Sequence, residues 1–470
     1  MPFLERFFEL ERRGSDARTE LAAGATTFLT MSYIIFVQPA VLSGSMFGVE
    51  TGIDFGAVMT ATCLAAALAT AIMGLYARAP IAQAPGMGAN FFLALTLIPA
   101  AAAAGHANPW QVALGVVFVS GVLFLLVTLS GLRQVVVDAI SPSLRGGIAV
   151  GIGLFIAFIG LQNAGLVEKD PVTAVRLNPH WLSPDLLVFF AGLFSAAGLH
   201  ARGVKGSILG GIAIATAVAL GLRFAVDPLL GDWIGESRIA QLTLPAAVVS
   251  LPPDISPTFF AVDLVGALSL GMLPFVLIFL IMDLFDTVGT LIGVTSAAGP
   301  AEDQILPRPE RAYLSDAIGT VAGAALGTST VTSFVESATG IEQGGRTGLT
   351  SLVVAALFLL ALFLSPLVAM IGSYPPITAS ALVLVGALML RNASRVDWSD
   401  PSEAVPGFLI AIGIPLFYSI SDGLALGFIA YPVIKLLAGR ARELRWPMVV
   451  TPLIMLAYVI VLRGGLGLGS

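Results

Sequence analysis

The stretch Pro80-Ile81-Ala82-Gln83-Ala84-Pro85-Gly86-Met87-Gly88-Ala89-Asn90-Phe91-Phe92 puts two prolines and two glycines inside an otherwise apolar run. A continuous helix tolerates that composition poorly, because proline lacks the ladder N–H and glycine loosens the backbone. A counterpart reads Gly327-Thr328-Ser329-Thr330-Val331-Thr332-Ser333-Phe334-Val335-Glu336-Ser337-Ala338-Thr339-Gly340, crowded with hydroxyls around one carboxylate. If both segments lie in lipid, their broken backbone is tolerable only beside a cavity. Paired interruptions in two halves of a chain point to a transport site.

The surroundings place them in lipid. Of 470 residues, 57% are hydrophobic and 11% charged, with a mean hydropathy of +0.94. Soluble domains carry about 25% charged residues, so a water-facing surface cannot be covered. Spanning helices need ~20 mostly apolar residues. Such stretches are read at 21–44, 56–77, 80–102, 111–131, 143–163, 185–200 and 206–225. A second set follows at 264–293, 313–327, 329–345, 348–372, 374–391, 405–421 and 423–438. The interrupted segments are the third span of each set. Residues 446–462 either cross again or lie at the interface, within a C-terminal apolar segment, 441–470. Residues 1–20 carry charges of both signs and no apolar signal-peptide core, so they read as a cytoplasmic interfacial segment.

Fourteen spans with a cytoplasmic N-terminus put Arg78, Arg133, Arg202, Lys205, Arg308, Arg311, Arg346, Arg391, Arg395, Arg440, Arg442 and Arg445 inside, in an inner (plasma) membrane. The long 226–262 segment, with only Arg238 as a basic residue after the seventh span, falls outside. The two sets also share sequence. Phe28-Leu29-Thr30-Met31 and Val37 match Phe279-Leu280-Ile281-Met282 and Val288 at the same spacing. Seven spans per copy inverts the second copy, 263–440, against the first, 21–225.

Glu336 is the sharpest candidate, since a carboxylate at membrane depth is costly and marks a site or an ion path. Asp283 and Asp286 lie three apart, on one helix face. Two acids so close in a low dielectric repel, which suits one of them to take up and release a coupling proton. Asn90, with the backbone amides from Gly88 to Phe91, offers mixed donors and acceptors to a heterocycle edge. Tyr33, Phe91 and Phe334 can sandwich a flat ring. Asp263, Asp316 and Asp422 read as capping or interfacial residues near span ends, and Arg346 as a cytoplasmic anchor. Cys63 is expected to pack in the core. His106, His180 and His200 have no metal-site spacing, and no nucleophile–base arrangement suggests an enzyme. No cofactor or metal is implied, and a net charge of −6 without a basic block excludes nucleic acid as a partner.

These residues make the chain resemble the AzgA-like branch of the nucleobase/ascorbate transporter superfamily, the adenine–guanine–hypoxanthine permeases. The likeness is carried by Gly24 to Val37, Ala84 to Asn90, Leu284 to Leu291, and Gly327 to Thr350. The resemblance implies the UraA-type fold, all-α with fourteen spans in two inverted repeats and short strands in spans 3 and 10. In that fold a core (spans 1–4 and 8–11) moves against a gate (spans 5–7 and 12–14). It implies a purine nucleobase as substrate, with the family's span-10 glutamate at Glu336, its span-8 acids at Asp283 and Asp286 and its span-3 asparagine at Asn90; Phe91, Gly88, Phe334, Ser333, Thr30 and Tyr33 join these as candidate substrate-binding residues. Asp286, Asp283 and Glu336 are implied in proton coupling. A looser alignment with uracil carriers places Asp286 at the substrate, whereas within the branch Asp283 is favoured, and the choice stays open here. Many relatives carry tyrosine where Phe334 stands, which leaves the purine preference open. Na⁺ remains an alternative coupling ion, and a homodimer is an admissible assembly. An anion carrier of the same fold would favour a basic or neutral centre, and a channel would show uptake that does not saturate.

Overall fold

The computed structural model describes residues 2–130, 141–226, 237–245, 247–296, 305–444 and 447–462. Arg133, Arg445 and residues 227–236 of the long loop therefore lie outside the described residues, as do 463–470.

Helix starts follow from local chemistry. Asp54 accepts from Ala57 N at 2.7 Å ahead of Phe55–Ile72. Ser141 and Ser183 cap Pro142–Asn163 and Pro184–Ala201, each with proline at the first position, whose missing N–H would have had no partner there. Asp400 and Pro401 repeat the device ahead of Pro401–Leu416. Eight helices among the described residues are long and apolar enough to cross a membrane: Ala17–Leu42, Phe55–Ala77, Pro109–Ser130, Pro142–Asn163, Pro184–Ala201, Ser207–Phe224, Gly348–Gly372 and Pro375–Arg395.

Two stretches differ from the sequence reading, and the C-terminal one takes definite form. The first helix of the bundle starts at Ala17, behind an Asp16 cap on Thr19 N at 2.9 Å, so residues 1–20 do not form one interfacial segment. Glu20 is accordingly fully buried, where it accepts from Arg346 N at 2.9 Å and Thr350 Oγ1 at 2.6 Å. The stretch from 264 breaks into a short helix, Leu264–Ala267, capped by Asp263, before Leu273–Ser296 begins beyond a turn at Gly271. Pro447–Leu462 is a single helix of 16 residues, about 24 Å long at 1.5 Å per residue. It packs on Ile420–Leu437 and touches Leu273–Ser296.

Packing sorts the helices by partner. Ala17–Met31 and Phe55–Ile72 both lie on Gly348–Ala361, while Pro309–Leu326 lies on Phe55–Ile72 and Pro109–Ser130. Pro142–Asn163 instead packs on Pro375–Met389 and Pro401–Leu416, and Pro184–Ala201 on Ser207–Gly221 and Pro375–Met389. Gly147 meets Gly407 backbone so closely that a Cβ would strike its carbonyl. Cys63 is buried in the main apolar cluster.

Four short strands occur among the described residues: β1 (Gln83–Pro85), β2 (Val167–Asp170), β3 (Ala174–Leu177) and β4 (Val331–Ser333). β2 and β3 form a largely exposed hairpin. β1 and β4, far apart in sequence, pair antiparallel in the register Gln83↔Ser333, Ala84↔Thr332, Pro85↔Val331. All six of their residues are buried, so the pairing supplies the hydrogen bonds that lipid cannot.

Candidate transport site at the crossing strands

Each strand runs into the N-terminus of a short helix: Met87–Phe92 after β1, and Ser337–Glu342 after β4. Backbone bonds extend the crossing on both sides, from Gly86 N to Thr330 O at 3.0 Å and from Phe334 N to Ala82 O at 2.9 Å. The N-termini of two short helices thus flank the strand crossing, each presenting its positive dipole end. Met87–Phe92 continues through a π-helical turn, Leu93–Leu97, a geometry common beside functional sites. Gly340 lets the second short helix lie against Ala17–Met31, since a Cβ there would strike Thr27 Oγ1 and Ala23 O.

Glu336 is the N-cap residue of Ser337–Glu342 but makes no side-chain cap bond. It is half-buried, and Tyr33 donates its hydroxyl to Glu336 Oε1 at 2.9 Å. Tyr33 is 2% exposed, so its ring packs while its hydroxyl serves the carboxylate. Thr30 joins the same side through Thr339, with the hydroxyl oxygens 3.1 Å apart.

The two acids of Leu273–Ser296 have different surroundings. Asp286 is exposed, and a Cβ built on Gly86 would stand 3.4 Å from its Oδ2, which places the carboxylate beside the β1 turn. Asp283 is 3% exposed. Thr320 Oγ1 lies 2.8 Å from Asp283 Oδ2 and 3.1 Å from Val331 O, while Asp283 Oδ1 is buried with no hydrogen-bond partner among the described residues.

Asn90 is fully buried, accepts closely from the Ser329 hydroxyl, and its Nδ2 lies 3.5 Å from Pro85 O. Its carboxamide ties the two broken segments together. Gln38, also fully buried, donates to Thr328 Oγ1 at 2.9 Å and Ser329 Oγ at 3.2 Å. Phe91 is fully buried between Phe47 and Phe155, at 5.8 and 6.3 Å between ring centroids. Phe334 is 6% exposed, and a Cβ on Gly88 would touch Ile152 at 3.1 Å.

Asp316 corrects an expectation. It is not a capping residue at a span end but is fully buried, two turns inside Pro309–Leu326. Gln83 Nε2 and Thr287 Oγ1 donate to it closely, Ser333 Oγ donates at 2.8 Å, and Ser333 N approaches at 3.4 Å. One carboxylate therefore joins β1, β4 and two long helices. The overlooked signal is Pro309, whose preference for the first helical turn sets the helix start and puts Asp316 in its interior. Asp263 does cap, and Asp422 lies in the first turn of Ile420–Leu437. Arg346, read as a cytoplasmic anchor, donates to Ile341 O at 2.5 Å and Gly345 O at 2.9 Å, closing the C-terminal end of the second short helix.

None of the ion pairs found among the described residues involves Asp283, Asp286, Asp316 or Glu336. Acids gathered around paired half-helices, without a cation, form a polar centre suited to N–H donors and protons.

The model of the xanthine/uracil permease family, described as a permease family, matches residues 18–426. The chain belongs to this family. It is thus a permease, a transporter rather than an enzyme, embedded in a membrane through its apolar helices. The permease is 40% identical over 458 residues to the adenine permease AdeP of Escherichia coli, covering 97% of this chain and 96% of that one. It is 39% identical over 465 residues to the guanine/hypoxanthine permease PbuG of Bacillus subtilis, covering 98% and 100%. Among solved structures, the transmembrane domain of the cyanobacterial bicarbonate transporter BicA matches with a TM-score of 0.59 at 16% identity, over 87% of the permease and 96% of that chain. That likeness shows the UraA-type fold.

Proposed function

We propose that this permease imports purine nucleobases in symport with protons. The observation that carries the proposal is the pair of accessible carboxylates, Asp286 and Glu336, beside the N-termini of two crossing half-helices. Adenine and guanine/hypoxanthine permeases among its relatives support a purine as the substrate. The base lies between the half-helices, where Glu336 accepts N–H from its polar edge. Guanine's adjacent N1–H and amino group offer two such donors and hypoxanthine's N1–H one. Asp286, open beside β1, takes another edge.

Asp283 carries the coupling proton. Thr320 has one hydroxyl proton and two acceptors in reach, Asp283 Oδ2 and Val331 O. A protonated Asp283 donates to Thr320 while Thr320 donates to Val331 O, so all three are satisfied. The deprotonated form leaves one acceptor wanting. This division favours Asp286 over Asp283 at the substrate.

Fourteen spans in two inverted repeats, 21–225 and 263–440, house the site. The core (spans 1–4 and 8–11) carries both half-helices and slides past the gate (spans 5–7 and 12–14). The N-terminus faces the cytoplasm across the inner membrane, and two copies associate as a homodimer. An anion carrier on this fold would want a cation at the centre, and the site residues offer none.

Radiolabelled hypoxanthine uptake in a strain lacking its own purine carriers tests the proposal. Glu336→Ala abolishes saturable uptake while the protein stays in the membrane, and a protonophore collapses wild-type accumulation. Uptake of wild-type rate and KM by Glu336→Ala would sink the site assignment. Accumulation that ignores the protonophore but follows a Na⁺ gradient would sink proton coupling.

A further inference from the structure

Tyr33 stands where the helical ladder of the first span is interrupted. Ala17–Met31 ends at Ser32, and Ile34–Leu42 resumes with Tyr33 at its N-cap position. The ring is locked by burial, and its one O–H points to Glu336 Oε1 at 2.9 Å. A phenol has a single proton to donate, so this bond is its whole donor capacity. On the other side, the Glu336 carboxylate has no ion pair and no cap bond to its own helix. Oε2 has no side-chain partner among the described residues. Tyr33 is therefore the side chain that orients this carboxylate and decides which of its oxygens is free.

We infer that Tyr33 is a specificity-determining positioning residue: by holding Glu336 Oε1, it leaves Oε2 as the oxygen that meets the base, which rests on the substrate role proposed above for Glu336. The consequence lies in how many N–H groups the site rewards. A bare carboxylate takes two adjacent donors with its two oxygens, as on the N1–H and 2-amino edge of guanine. With Oε1 already accepting from Tyr33, the second donor must share that oxygen through its remaining lone pair and gains less from it. The site then values hypoxanthine's single N1–H nearly as much as guanine's pair. Removing the hydroxyl frees Oε1 and restores two-point acceptance.

The test compares guanine and hypoxanthine as competitors of radiolabelled hypoxanthine uptake, in the wild type and in Tyr33→Phe, with membrane levels measured for each. Tyr33→Phe keeps the ring and removes only the donor. The ratio of inhibition constants is expected to move toward guanine by about tenfold, the size of one hydrogen bond to a charged acceptor. An unchanged ratio in Tyr33→Phe overturns the inference. If that variant is inactive or missing from the membrane, the wild type alone decides. A guanine advantage below about tenfold supports an occupied Oε1, and a larger one overturns it. Glu336→Ala, run in the same panel, separates the two levels. Normal uptake by Glu336→Ala removes the substrate site itself. Lost uptake there, with an unchanged ratio in Tyr33→Phe, keeps the site and discards the role of Tyr33.

Discussion

Replacing Asp316 tests whether one buried carboxylate holds the crossing strands together. Its partners are Gln83 Nε2, Thr287 Oγ1, Ser333 Oγ and Ser333 N. All lie in fully or nearly fully buried residues, so water cannot replace the lost acceptor. In Asp316→Ala the two hydroxyls can rotate toward other acceptors, but the Gln83 amide and the Ser333 N–H cannot. Two stranded donors at ~1–3 kcal/mol each give a loss of roughly 2–6 kcal/mol. Asp316→Asn keeps one carbonyl oxygen and loses less, because its new NH₂ can donate to a reoriented Thr287 or Ser333 hydroxyl. The expected order of stability is therefore wild type, then Asn, then Ala. Thermal unfolding of detergent-purified protein measures it, with hypoxanthine uptake as the parallel readout. Because the cost falls on β1 and β4 together, uptake falls in the same order. An Ala variant that melts and transports like the wild type would refute the clamp. Asn as damaging as Ala would show that the charge, rather than the number of acceptors, matters there.

Further outcomes follow from the same geometry. Asp286→Asn raises KM for the base by roughly tenfold or more, through loss of a charged acceptor beside β1. Asp283→Asn leaves base binding within about threefold but uncouples accumulation from the proton gradient, since an amide cannot release its proton. Binding measured by isothermal calorimetry, set beside protonophore-sensitive uptake, separates these two, and the reverse pattern would exchange their roles. Gly340→Val forces a side chain into Thr27 and Ala23. It should cost about 1–3 kcal/mol from overpacking and lower the melting temperature, whereas unchanged melting would mean that the helices separate freely there.

Much of the protein was legible from composition and pattern. An apolar run with too few charges for water has to form helices, because lipid offers no partner to a backbone N–H or C=O. That physics located the eight membrane-length helices among the described residues and singled out the two interrupted segments, including Asn90 and Glu336. The resemblance of the motifs to purine permeases agrees with the family to which the chain belongs. What pattern could not supply is which polar atoms meet. Asp316 read as a span-end acid because apolar periodicity marks the lipid-facing stretch, not the helix start at Pro309. Asp283 and Asp286 share one helix face, yet one is sealed behind Thr320 and the other open beside Gly86. Sequence spacing fixes their angle on the helix but not the depth at which neighbouring elements cover each of them. Tyr33 read as a stacking ring, and only the packing of the first span against Ser337–Glu342 turned its hydroxyl toward Glu336. β1 and β4 show the same division most plainly. Proline, glycine and hydroxyl content marks both as broken helices, but their pairing joins residues some 250 positions apart. It exists because each strand, buried away from water, finds its missing backbone partners in the other.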